Sequence, residues 1–282
     1  MTGPAPASTP LPQPSTAAGR AGLAALLEAP HRALLAFDFD GTLAPIVDDP
    51  DAARAHPGAA APLGALARSA GTLAVITGRP AAVAAEYAGL LDVPGVIVLG
   101  QYGRQRWQAG TLQTQPPPPG LADARRELPL LLERCGASEG TRIEDKGDAL
   151  AVHTRQAADP AAELDRLREP LAGLARQAGL TVEPGRFVLE LRPAGSDKGL
   201  ALRALAAERK AGAILFCGDD LGDLPAFQAV AELRARGIPG IAVCSGSAEV
   251  SALTKEADLV VDGPAGVVDL LRALAAAFAQ AG

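Results

Sequence analysis

The sequence predicts an α/β fold, a Rossmann-like doubly wound parallel sheet into which a smaller α+β domain is inserted. Three observations carry this expectation. The run Ala33-Leu34-Leu35-Ala36-Phe37 is continuously apolar and breaks into Asp38-Phe39-Asp40-Gly41-Thr42. A central parallel strand reads this way, because helices cover both of its faces and its carboxyl end opens into a ligand-binding loop. Apolar runs and helical segments alternate up to Leu99 and again from Asp197, as crossover connections require. Between them the alternation stops at Pro116-Pro117-Pro118-Pro119-Gly120, a stiff extended segment suited to a domain boundary.

In chain order, a short helix over 22–28 leads into the first strand, and residues 44–57 form a Pro- and Asp-rich loop. A helix over 58–69 precedes the apolar run Thr72-Leu73-Ala74-Val75-Ile76, which ends in Thr77-Gly78-Arg79-Pro80. Pro80 suits the first turn of the next helix, over 81–90. Val96-Ile97-Val98-Leu99 is a third strand and residues 101–115 read as a hairpin. Beyond the prolines the pattern is helix (121–135), strands (141–145, 149–154), helix (161–179) and strands (181–183, 187–191). Helix and hairpin repeated twice indicate an antiparallel sheet. From Asp197 come helix 197–209, strand 213–217, helix 224–236, strand 241–243, a short helix at 248–253, strand 259–261 and helix 267–280. The expected domains are an unstructured Pro/Ala-rich tail at 1–22, a core of 23–118 and 194–282, and an insert of 119–193.

A chain of 282 residues with 48% apolar content can bury a full core. Its net charge of −6 disfavours a nucleic-acid binder, which needs a basic stripe to neutralise phosphates. Cys135, Cys217 and Cys244 are widely spaced and form no zinc-type cluster, which fits a reducing cytoplasm. The apolar stretch at 270–279 is interrupted by Arg272 and is too short to span a bilayer, so no membrane segment is expected. The first nineteen residues lack the basic start and apolar centre of a signal peptide.

The chemistry concentrates at strand ends and helix starts. Asp38 and Asp40 stand two residues apart, and like charges this close call for a compensating cation; Mg²⁺, a hard ion that prefers oxygen, is the natural partner. Thr77 ends the second strand, next to Gly78 and Arg79. Lys198 opens a helix, where backbone N–H groups already favour an anion. Gly218-Asp219-Asp220-Leu221-Gly222-Asp223 places three carboxylates within five residues. Singly, Thr77 and these aspartates read as helix caps and Lys198 as a solvated lysine. Jointly they describe a site where carboxylates, a metal, a threonine and a lysine surround a phosphate.

These four motifs, in this order, resemble those of the haloacid dehalogenase superfamily of aspartyl phosphatases. From about Arg32 onward the chain also resembles the trehalose-6-phosphate phosphatases within it. That narrower likeness lies in Asp38-Phe39-Asp40-Gly41-Thr42-Leu43-Ala44-Pro45-Ile46, Glu144-Asp145-Lys146, Ala151-Val152-His153-Thr154-Arg155, Glu190-Leu191-Arg192-Pro193 and Asp197-Lys198-Gly199. The chain departs from the pattern at Gly222, where the family has threonine, and at Tyr102, where it has histidine. The resemblance implies that Asp38 attacks phosphorus, that Asp40 serves as general acid and then base, and that Thr77 and Lys198 hold the phosphoryl oxygens. It implies Mg²⁺ on Asp38, the Asp40 carbonyl and Asp219, with Asp220 and Asp223 behind them or as alternative ligands. Arg79, Glu144, Lys146 and Glu190 would bind the substrate, and the insert would act as a lid.

The implied reaction is hydrolysis of trehalose 6-phosphate to trehalose and phosphate, the last step of trehalose synthesis, with a functional link to a trehalose-6-phosphate synthase. The alternatives are a phosphatase of sucrose phosphate or a glycosyl phosphoglycerate, and a catalytically silent sugar-phosphate-binding subunit. A plainer reading of Glu144 and Lys146 is an ordinary ion pair on one strand face.

Overall fold

The computed structural model describes residues 10–47, 49–185, 187–246 and 251–281. The described residues among 1–77, 81–113 and 197–282 form one compact unit, and those among 78–80 and 114–196 form the other.

The first unit is built on an eight-stranded sheet. Its strands are β1 (Ala33–Phe37), β2 (Thr72–Ile76), β3 (Ile97–Gly100), β4 (Gln105–Gln108), β5 (Thr111–Thr114), β10 (Ala213–Gly218), β11 (Gly240–Gly246) and β12 (Leu259–Asp262), while β6 to β9 belong to the second unit. The order across the sheet is β12-β11-β10-β1-β2-β3-β4-β5. Pairings from β12 through β3 are parallel and β3–β4 is antiparallel. This is the doubly wound α/β core that the sequence predicts.

Successive side chains of β1 go to opposite faces. Leu35 and Phe37 enter a core shared with helices α1 (Ala17–Glu28), α2 (Ala60–Ser69), α3 (Ala81–Tyr87) and α9 (Gly263–Ala281). Leu34 and Ala36 enter the other, lined by α6 (Lys198–Arg209), α7 (Leu224–Ala235) and Leu253 of α8 (Ser251–Glu256). The apolar continuity of β1 is therefore burial on two faces, and its five residues are all buried.

In the second unit α4 (Leu121–Arg134) and α5 (Pro160–Gln177) accompany a four-stranded sheet of β6 (Arg142–Asp145), β7 (Leu150–His153), β8 (Leu180–Gly185) and β9 (Val188–Pro193). The order is β6-β7-β9-β8, antiparallel throughout. Leu128, Leu167 and Leu171 of the helices pack with Leu150, Val152, Leu189 and Leu191 of one sheet face. Glu144, Ala151 and Glu190 occupy one cross-strand row, so their side chains share the other face.

Three expectations change. The unstructured tail was expected to run through residue 22, but α1 begins at Ala17, where the Thr16 hydroxyl accepts from the Gly19 N–H at 2.9 Å. Residues 1–9 lie outside the described residues. The short helix expected at 248–253 is α8 at Ser251–Glu256, and residues 247–250 lie outside the described residues. The C-terminal apolar stretch is longer than expected, because the helix starts at Gly263: by length and composition α9 could cross a membrane. Its Val267, Val268, Leu270, Leu271, Leu274 and Phe278 are instead part of the core.

Candidate active site

The carboxyl ends of β1, β2 and β10, three neighbouring parallel strands, carry three of the predicted motifs, and the start of α6 carries the fourth. β1 ends at Phe37, and the Asp38 N–H donates to the Cys217 carbonyl at 2.8 Å, so the nucleophile candidate is fixed to β10. The loop beyond it is tight: Leu43 and Ala44 both donate to the Phe39 carbonyl, and Gly41 donates to that of Ala44. Gly41 has φ +72°, and a Cβ there would overlap the Asp219 carboxylate, so only glycine lets the loop pass beneath it. Thr77 is buried and holds the end of β2 by its N–H on Leu99 and its carbonyl under the Tyr102 N–H.

Lys198 is the first residue of α6, whose N-cap is Asp197 with its carboxylate on the Leu200 N–H. A buried cation at a helix N-terminus opposes the helix dipole. Here two carboxylates offset that cost, because Nζ lies 2.7 Å from both Asp38 Oδ1 and Asp223 Oδ1. Burial alone would lower the Lys198 pKa, but Asp223 and Asp38 outweigh it and hold the ammonium well above the ordinary lysine value.

Asp38, Asp219 and Asp223 each offer a carboxylate oxygen within 4.8 Å of the others. Burial raises all three. It pushes Asp219 up to about 10, with Asp38, Asp223 and Asp220 adding to the rise and Lys198 opposing it. Asp38 also stands well above its ordinary value, chiefly through burial and against the pull of Lys198. One ammonium does not balance three buried carboxyls, and an all-oxygen donor set suits a hard divalent cation. The residues present thus fit a metal ion.

The structure redistributes two of the expected roles. Asp220, expected among the metal ligands, is exposed, and its carboxylate caps the turn over Leu221–Asp223 by accepting from the Gly222 N–H at 2.9 Å. Asp223 is fully buried and takes its place in the cluster, with Oδ2 accepting from the Asp219 and Asp220 N–H groups. Asp40 is half-buried beside the cluster-bearing loop. The change at Gly222 leaves all three clustered carboxylates in place.

In the second unit, Lys146 Nζ lies 2.7 Å from Glu190 Oε2, and Glu144 Oε2 lies 2.8 Å from His153 Nε2. Glu144 and Lys146 are therefore not simply paired with each other. The His153 hydrogen bond, with Lys146 and Arg79 nearby, holds the Glu144 carboxyl below its ordinary value. Glu190 is buried and its Oε1 has no hydrogen-bond partner among the described residues. An acceptor left so is costly unless a donor reaches it. Two participants escaped the sequence reading: His153 as the partner of Glu144, and Asp223 as the anchor of Lys198. Asp223 was recognisable as acidic, but only the turn at 221–223 decides which of two neighbouring aspartates faces inward.

The strand order, the acidic loop after β1 and the lysine at the start of α6 define the haloacid dehalogenase fold class. A haloacid dehalogenase-like hydrolase from Bacteroides thetaiotaomicron has the same fold, with a TM-score of 0.61 at 17% identity over 84% of this chain and 97% of that one. The C-terminal domain of a C. albicans trehalose-6-phosphate phosphatase aligns with a TM-score of 0.75 at 22% identity, covering 94% of this chain and 99% of that one. The chain belongs to the trehalose-phosphatase family, whose model matches residues 36–261. A trehalose-phosphate phosphatase of Mycobacterium marinum is 34% identical over 258 residues, which are 87% of this chain and 62% of that protein. The chain spans between half and two thirds of the length of the trehalose-phosphate phosphatases of Mycobacterium marinum, Mycobacterium avium, Mycolicibacterium paratuberculosis and Mycobacterium ulcerans that it matches.

Proposed function

We propose that the protein is a Mg²⁺-dependent phosphatase that hydrolyses trehalose 6-phosphate to trehalose and phosphate. The observation that carries this reading is the buried Lys198–Asp38 contact inside a carboxylate cluster, in a chain of the trehalose-phosphatase family. Asp38, Asp219 and Asp223, with the Asp40 carbonyl, would hold the cation. When bound, it neutralises charge on the phosphoryl oxygens.

The Asp38 carboxylate attacks phosphorus and forms an aspartyl-phosphate as the P–O bond to the sugar breaks. Asp40 gives its proton to the departing sugar oxygen, then takes one from the water that hydrolyses the intermediate. Lys198 and Thr77 stabilise the charge on the transferring group where it develops. Residues 119–193 form a lid that selects the sugar. Glu144, Lys146 and Glu190, with Arg79, receive its hydroxyls, and the unpartnered Glu190 Oε1 is an acceptor ready for one of them. Three free cysteines fit a cytoplasmic location, and the substrate would come from a trehalose-6-phosphate synthase.

The test is phosphate release from trehalose 6-phosphate, sucrose 6-phosphate and glucose 6-phosphate, with Mg²⁺ and with EDTA. We expect selective, Mg²⁺-dependent release of trehalose that Asp38→Asn and Asp40→Asn abolish, and that Glu190→Gln lowers about 10²-fold or more for this substrate alone. Equal rates across the panel would discard the sugar assignment. No release from any ester would leave a sugar-phosphate-binding subunit.

A further inference from the structure

We propose that Ser245 is a positioning residue that ties the Asp40-bearing loop to the sheet. Ser245 lies in β11, which is separated from β1 by β10. It follows Ile241, Ala242, Val243 and Cys244, all buried, at a position where an apolar side chain would serve the core. Instead a fully buried hydroxyl stands there and donates to the Gly41 carbonyl at 2.7 Å, across 204 positions of sequence. A hydroxyl without a bond would be costly in this setting. Its bond goes to the loop that joins Asp38 and Asp40 to Thr42.

The Asp38 N–H on the Cys217 carbonyl and the His56 N–H on the Leu43 carbonyl, at 2.8 and 2.7 Å, hold the two ends of the loop, and the bonds between them fix its shape. Gly41 donates to Ala44 at 2.8 Å, Leu43 to Phe39 at 2.9 Å and Ala44 to Phe39 at 2.8 Å, all within residues 39–44. The Asp219 carboxylate occupies the space that a Cβ at Gly41 would fill. Ser245 holds the carbonyl of the same residue, so the loop is seated between the Asp219 carboxylate, just beyond β10, and the Ser245 hydroxyl of β11. Loss of the hydroxyl frees the turn to shift relative to Asp38 and Asp219. A shift of about 1 Å at a reacting group is enough to cost roughly 10²-fold in rate. Substrate contacts elsewhere are untouched, so the loss belongs to kcat.

The kinetic arm of the test rests on the proposed phosphatase reading; a second arm does not. Ser245→Ala, Ser245→Val and Ser245→Thr are made in the full chain, with Thr and Val differing mainly in the hydroxyl. Amide hydrogen exchange over residues 38–44 is expected to speed up about tenfold in the Ala and Val variants and to stay at the wild-type rate in Thr. With Mg²⁺ and trehalose 6-phosphate, kcat should fall about tenfold or more in Ala and Val with KM within about twofold, and Thr should restore it. Unchanged exchange over 38–44 in both Ala and Val overturns the proposal, as does a rise in KM at constant kcat. So does an equal loss of protection throughout β10 and β11 in all three variants, which would make Ser245 a packing residue. A wild type inert on every phosphate ester refutes the proposed activity alone, and the exchange rates then decide the tether by the same criteria.

Discussion

At the level of single side chains, Asp219 sets the electrostatic character of the site. Its carboxyl is raised from an ordinary 3.8 to about 10, by burial first and then by Asp38, Asp223 and Asp220. The folded value lies above the unfolded one, so between these limits the native chain keeps a proton that the unfolded chain has released. Stability therefore falls as pH rises through that window. A divalent cation replaces the proton and reverses the trend, because metal ligands must be deprotonated. In EDTA the melting temperature should be higher at pH 5.5 than at pH 8, and Mg²⁺ should raise it more at pH 8. Asp219→Asn mimics the protonated form: at pH 8 in EDTA it should melt above the wild type and lose the response to Mg²⁺. Differential scanning fluorimetry checks both, and a wild type that responds equally to Mg²⁺ at the two pH values would contradict the assignment.

Among the elements, α1 shows how a segment of unpromising composition becomes structure. Asp258, buried at the start of β12, accepts from the Thr16 hydroxyl and from Arg234, and its Oδ2 also accepts from the Ala242 N–H at 2.8 Å. The Ser15 N–H donates to the Asp258 carbonyl at 2.7 Å. Nearly two turns further on, a Cβ at Gly22 would overlap the Gly240 carbonyl, so the helix lies directly on β11. Gly22→Ala should lift α1 off the sheet and cost about 1–3 kcal/mol, the usual range for overpacking. Asp258→Ala should cost at least as much, since it removes the ion pair of Arg234 and leaves the buried Ala242 N–H without its acceptor. Urea denaturation measures both. The helix was legible from residue 22 onward, but its first turns and their tether were not, because the partner of Thr16 lies 242 residues away. The strands and the motifs were legible for the opposite reason: β1, β2 and β10 are continuous apolar runs whose ends carry Asp38, Thr77 and Asp219 in sequence. What sequence does not encode locally is aim. Asp220 and Asp223 are equally acidic, and the turn at Leu221–Asp223 turns one outward and the other onto Lys198.

For the whole molecule, two separate cores imply two separable stabilities. The sheet of the first unit is packed on both faces, whereas the second unit has its own cluster, whose residues run from Leu121 to Leu191. Leu167 is fully buried at the middle of α5 within that cluster. Leu167→Ala removes most of a buried side chain and should cost about 2–5 kcal/mol. Because its partners all belong to the second unit, the loss should fall there. Hydrogen exchange should accelerate across residues 114–196 while β1, β2 and β10 keep their protection, in the manner of a sub-global opening. The clustered carboxylates and Lys198, the proposed catalytic groups, reside in the first unit, so hydrolysis of a small activated ester such as p-nitrophenyl phosphate should persist near the wild-type rate. Turnover of trehalose 6-phosphate should fall, mainly through KM, because the proposed sugar contacts Glu144 on β6, Lys146 just beyond it and Glu190 on β9 belong to the sheet that α5 packs against. If both substrates and both units lose ground together, the two cores unfold as one cooperative body and the second unit is not an independent element of specificity.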